Sequence, residues 1–317
     1  MALPPLTMSS FVTEWTFDPI GALLIVATAS AYAAGVRRLA QRGRAWSRGR
    51  SASMAVALVT LTVATQSGLA AYDTELFSAH VVQHLLLGVV GPFFLALSAP
   101  VTLALQAFHR PTQVNLLRAL HSRPIRAVSH PVVVFSLFAF SLFVLYFTPL
   151  YELSLRNDVV HAWVHLHFVV VGSLFFWVAI GLDPAAHRIS YGTRLLIVAL
   201  TVPFHAFLGV ALMNTAQSLA PGFDAAQGRI DQPAIIEDQH AGGALMWTFG
   251  DLVGLAAGGV IALQWFHHEE RRTRRLDRRL DAIDDARATQ EEHDAHEGRR
   301  VRDAESVTVE GADKRVT

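Results

Sequence analysis

Five histidines carry the chemistry this sequence can do. His80 and His84 stand four residues apart, as do His161 and His165, while His240 stands alone two residues ahead of Gly242 and Gly243. On a helix, an i, i+4 pair points two side chains along one face, about 40° apart around the axis and ~6 Å apart along it. Neutral imidazole is the commonest metal ligand among side chains. Two such pairs on neighbouring helices could close around one ion, or ligate one haem from its two sides. The chain has no cysteine, so thiolate sites and disulfides are excluded. Copper or zinc would have to be held by His, Met, carboxylate or amide groups.

Several other residues bear on such a site. Met213 and Met246 carry thioethers, which suit Cu(I). Asp73 and Glu75 lie just before His80, and Asp238 lies just before His240. His205 and Asp251 fall deeper, at positions that adjacent antiparallel helices would bring to similar depth, so an interaction between them is expected. A carboxylate at that depth is costly unless paired or protonated. His167 faces away from its pair and is expected to pack or sit at an interface, and Gln83 is expected to point elsewhere. Asp238 is also positioned to cap the helix that follows it.

The elements that must position these residues are membrane spans. Mean hydropathy is +0.35, and the charges are segregated: residues 195–217 hold none, while 269–281 are mostly charged. Seven apolar runs are long enough to cross a bilayer, at about 18–36, 51–71, 80–107, 131–150, 161–182, 193–215 and 240–266. The fold class is therefore all-α, a polytopic seven-helix bundle. An outer segment 1–17 precedes the bundle at 18–266. A charged tail follows at 267–317, helical where Leu276, Leu280 and Ile283 recur and disordered beyond about 290. The first 17 residues carry no Lys or Arg, so no signal peptide is expected.

The positive charges set the orientation. Of 26 Lys and Arg, all but Arg156 and Arg229 lie on the side of the tail. By the positive-inside rule the N-terminus is outside and the tail cytoplasmic. The histidines that open spans 3, 5 and 7 then share the outer side. Pro92 and Pro100 should kink and break span 3. No Walker loop, dinucleotide fingerprint, HExxH or hydrolytic triad is present, and the basic segments lack the aromatic interleaving of a nucleic-acid site.

These residues place the chain near a known family. The carriers are Ala79 to Leu87, beginning Ala-His-Val-Val-Gln-His, with Pro92 and Pro100 after them. They continue with Pro149-Leu150-Tyr151, then His161 to Pro184 with Gly172, Phe176, Trp177 and Asp183. They close with Asp238-Gln239-His240-Ala241-Gly242-Gly243 and Met246-Trp247. In this order and spacing the chain resembles the membrane CtaG family, assembly factors of caa3-type cytochrome c oxidase, over roughly 18–266. His205 to Gly209 is similar to the actinobacterial version.

The resemblance implies a multi-pass plasma-membrane protein that is not an enzyme. It implies help in bringing copper to the catalytic subunit of cytochrome c oxidase, with an extracytoplasmic copper chaperone as a further partner. The family's histidine motifs fall on His80, His84, His161 and His165, and its Asp-Gln motif on Asp238 and Gln239. One departure is Val164, where members often carry an acid, which removes a charge from the site. Four imidazoles are expected to hold the ion, with His240, Asp238, Met213, His205 and Asp251 as further candidates. The residues alone leave three other readings open. One is a haem-binding redox protein. Another is a metal or proton transporter using His205 and Asp251. The third is a metal-dependent hydrolase using Asp73, Glu75 or Asp238.

Overall fold

The computed structural model describes residues 13–187 and 189–313, with side chains as far as 287 and at 289. Residues 1–12 of the expected outer segment lie outside the described residues. Among the described residues every regular element is helical. Six helices are long and apolar enough to cross a membrane, and a bent pair makes a seventh if counted as one span. The protein is a multi-pass membrane protein.

The first span is α1 (Pro19–Gln41), capped by Asp18 with Pro19 in its first turn. The second is α2 (Arg48–Gln66), continued after Ser67 by the short α3 (Gly68–Tyr72). The third is broken into four pieces: α4 (Phe77–Leu85), a π-helical turn (Leu86–Val90), α5 (Gly91–Leu97) and α6 (Pro100–Ala107). Two connecting helices follow, α7 (Arg110–Leu120) and α8 (Arg123–Val128). The bent pair is α9 (Pro131–Phe147) and α10 (Leu150–Arg156), turned by 72° at Thr148–Pro149. The fifth and sixth spans are α11 (Asp158–Ile180) and α12 (Tyr191–Met213), and the short α13 (Pro221–Ala226) precedes α14 (Gln232–Asp313).

The breaks in span 3 follow from its prolines. Pro92 has no N–H, so the Gly88 carbonyl loses its helical donor. The chain takes a π turn there, with the Gly91 N–H bonding back to Leu86 O. Pro100 ends the next piece, and Ala99 is forced to a left-handed φ of 51°. The freed Gly88 carbonyl faces α11: a Cβ on Gly172 would sit 2.0 Å from Gly88 O. Only glycine permits backbones this close, and in lipid such approach is a main source of helix association. A second crossing joins α12 to α14, where a Cβ on Gly209 would lie 2.7 Å from Gly243 O. The two histidine-bearing helices α4 and α11 are thus locked together just below their histidines.

The two ends of the bundle differ. At the histidine end, Asp18 and Gln66 tie α1 to α2 by reciprocal bonds of 3.1 and 3.0 Å. At the arginine end, Asp183 accepts from the Val101 and Thr102 N–H groups at 3.1 and 2.7 Å, capping α6. The chain divides into compact units at Ala262 and Leu263. The second unit is a charged helix with Glu270–Arg274 and Glu269–Arg272 pairs at 2.6 and 3.6 Å. Its helical backbone runs to Asp313. Pairs one helical turn apart add a few tenths of a kcal/mol each.

Candidate metal centre

Local sequence fixes where the histidines sit. Asn157 caps α11, accepting from Val159 and Val160 N–H at 3.0 and 3.2 Å, so His161 falls one turn inside the helix. The start of α4 has no cap of its own. Asp238 of α14 supplies it, accepting from Phe77 N at 2.6 Å, from Ser78 N at 3.4 Å and from the Ser78 hydroxyl. His80 then follows within a turn of an anchored helix end.

The four paired histidines converge. Ring centroids are 4.1 Å apart for His80 and His84, and 4.3 Å for His161 and His165. Across the helices the separations are 5.6 Å for His80 and His161 and 5.4 Å for His84 and His165. Ligating atoms of His80, His84 and His161 all lie within 4.8 Å of one another, and so do those of Asp73, His161 and His165. Two ligands of one ion are at most ~4 Å apart, since each metal–nitrogen bond is near 2 Å. The triads therefore exceed that limit by less than about 1 Å.

Burial makes the arrangement informative. His80 is fully buried, and His84 and His161 are 3% and 9% exposed. Neither ring nitrogen of His80 or His84 has a hydrogen-bond partner, nor does Nε2 of His161 or His165. Buried polar atoms without partners are rare and cost about 1–3 kcal/mol each. Four imidazoles facing one another in that condition fit a cation, which would satisfy them all. Tyr151 packs 5.0 Å from His80 and Tyr146 6.4 Å, so α9 and α10 wall the pocket with aromatic rings. Phe168 closes the other side, 4.7 Å from His84.

Asp73 joins this group, 7% exposed, with Oδ2 3.5 Å from His161 Nε2. Burial raises its carboxyl to about 7, against the pull of hydrogen bonds from Gln83 and Thr74. A neighbouring cation would favour the carboxylate and release the proton. Gln83 does not point away, as the helix position suggested. It donates to Ala64 O at 3.0 Å and lines one cleft with Asp73, His161 and His165. The site's carboxylate therefore comes from the loop before α4, whereas position 164 carries an apolar valine.

The remaining expected residues lie elsewhere. His240 is drawn to the sixth span, with Nε2 3.1 Å from Thr215 O, and is not within ligand distance of the cluster. Asp238 caps α4 rather than its own helix, which begins ahead of it at Gln232. Gln239 accepts from Leu219 N and donates to Gln217 O at 3.0 and 3.2 Å, pinning the loop before α13. Met213 packs against Gly243. No hydrogen bond joins His205 Nδ1 to Asp251 Oδ1: it is Gly250 whose Cβ would meet the His205 ring at 3.1 Å, and Asp251 is turned off by one helical position. His205 and Met246 instead border a cavity of about 20 Å³ beside His84, room for roughly one water. His167 bonds Ser141 Oγ at 2.7 Å on the exposed face of α11.

Residues 30–268 match the sequence model of the family described as Cytochrome c oxidase caa3 assembly factor (Caa3_CtaG). Uncharacterized proteins of Mycobacterium bovis and Mycobacterium tuberculosis are each 35% identical to this chain over 285 residues. One of Mycobacterium leprae is 33% identical over 285 residues. In each case the alignment covers 88% of this chain and 43% of the relative, so the chain spans less than half of their length. No solved structure matches. On the extent of the family match, the chain belongs to the cytochrome c oxidase caa3 assembly factors.

Proposed function

We propose that this assembly factor helps deliver copper to the catalytic subunit of a cytochrome c oxidase, binding the ion transiently between α4 and α11. The observation that carries this reading is the convergence of four imidazoles from two helices, those of His80, His84 and His161 buried and that of His165 half-buried, each with an unpartnered buried nitrogen. Neutral imidazoles without a thiolate bind copper less tightly than a cysteine cage. That suits release to an acceptor, and no chemical turnover is required. The excess of Lys and Arg at the opposite end supports a histidine end on the outer face of the plasma membrane. There the ion would be received from an extracytoplasmic copper chaperone and passed on within the bilayer. The His84 ring is hemmed by His80, Phe168 and His165 at 4.1, 4.7 and 5.4 Å. That spacing favours an ion over a haem macrocycle at this point.

The test is copper binding by the purified protein. His84→Ala with His165→Ala is expected to abolish stoichiometric binding while the helical content is kept. Unchanged stoichiometry and affinity would mean the ion binds elsewhere. A Soret band that survives washing would favour haem instead.

A further inference from the structure

We infer that the pocket contains two overlapping ion positions that share His161. The outer one is formed by Asp73, His161 and His165, and the inner one by His80, His84 and His161. This rests on the metal-binding reading above and deepens it. Three observations separate the positions. The close-spaced ligating atoms fall into these two triads, with His161 in both.

Access is the second. Asp73, His161 and His165 line an open cleft of about 710 Å³ together with Asp18 and Asp158, whereas His80 and His84 do not reach it. His80 is fully buried and His84 is 3% exposed. The cleft thus leads a cation past carboxylates to the outer triad first, and the inner triad lies behind it.

Charge is the third. The inner triad is three neutral imidazoles in a buried, aromatic-walled space with no anionic ligand. A divalent ion there would have no carboxylate among its ligands, Asp73 lying beside His161, and burying poorly compensated charge is costly. Monovalent copper leaves half as much, and it accepts low coordination by soft or borderline nitrogen ligands. The outer triad includes a carboxylate, which offsets one unit of a divalent ion's charge. The outer position therefore takes either oxidation state of copper, and the inner position takes copper(I) alone. Because His161 belongs to both triads, copper(I) can pass inward by exchanging ligands around one shared imidazole, without leaving the pocket.

The experiment uses the full chain in detergent with copper salts alone. Divalent binding is read by electron paramagnetic resonance, and copper(I) binding by competition with a colorimetric chelator. Asp73→Asn is expected to weaken Cu(II) at least about tenfold while leaving copper(I) nearly unchanged. His80→Gln with His84→Gln is expected to do the reverse, and His161→Gln to weaken both. Melting curves confirm that each variant is folded. Should the double variant fail to fold, His165→Gln must reproduce the Asp73→Asn pattern for the proposal to stand. If Asp73→Asn and the inner variants weaken both ions in parallel, there is one position and the inference is overturned. If the unaltered protein binds neither ion, it is the metal-binding reading itself that fails.

Discussion

Asp183 and Asp73 flank the same broken span, and they are buried alike, at 8% and 7% exposed. Asp183 is met by two backbone N–H groups of α6 and a nearby threonine. Burial pushes its carboxyl upward and those bonds pull it back, so it behaves as a helix cap. Asp73 faces His161 at 3.5 Å, beside imidazoles with unpartnered nitrogens. The contrast extends to the two regions. At Asp183 both carboxylate oxygens accept from backbone N–H groups and hold α6 in place. Beside Asp73 imidazole nitrogens are gathered without hydrogen-bond partners. An incomplete buried polar group destabilises the fold, and the proposed ion would complete these.

Predictions follow from pressing on each side of this contrast. Gly172→Ala should have the largest effect, about 3 kcal/mol or more, because the new Cβ meets the Gly88 backbone rather than a movable side chain. A large fall in melting temperature in detergent, with loss of copper binding as α4 and α11 separate, is the expected outcome. Next comes a matched pair. Asp183→Ala should cost about 2 kcal/mol as a lost buried cap, with copper affinity kept in the protein that stays folded. His80→Leu should do the opposite, weakening copper binding while leaving the metal-free protein as stable or more so, since two unpartnered nitrogens are removed. If both variants moved stability alike, the distinction between the regions would collapse.

Asp238→Ala should cost about 1 kcal/mol, because the α4 N–H groups lose their only side-chain acceptor. A few-fold loss of copper affinity should accompany it, as the end of the histidine helix loosens. The smallest effect is expected for His240→Ala. It removes one partly buried contact to Thr215 O, worth roughly 1 kcal/mol at most, and should leave copper binding as it was.

The residues explain what could be read in advance. Both histidine pairs and their shared face follow from helical periodicity, and the spans follow from hydropathy. Their convergence depends on Gly88 and Gly172 meeting, a relation between positions 84 residues apart in sequence that no local pattern encodes. Asp73 was visible as an acid before α4, but its place beside His161 depends on how the turn after α3 folds back. Asp238 and His240 share one stretch of α14, inside the helix rather than at its start, with no intrinsic mark of which neighbour each will serve. One caps another span and the other bonds a loop carbonyl. Asp251 illustrates the angular limit: one residue is 100° on a helix, so Gly250 takes the place against His205.

In the proposed function, imidazoles of α4 and α11 hold one copper ion at a time in a shared pocket. X-ray absorption on the copper(I)-loaded protein tests it most directly. The account predicts about three nitrogen neighbours near 2 Å with the outer-shell scattering of imidazole rings, lost in the variant carrying His80→Gln with His84→Gln. A spectrum dominated by sulfur, or one unchanged by that variant, would contradict it.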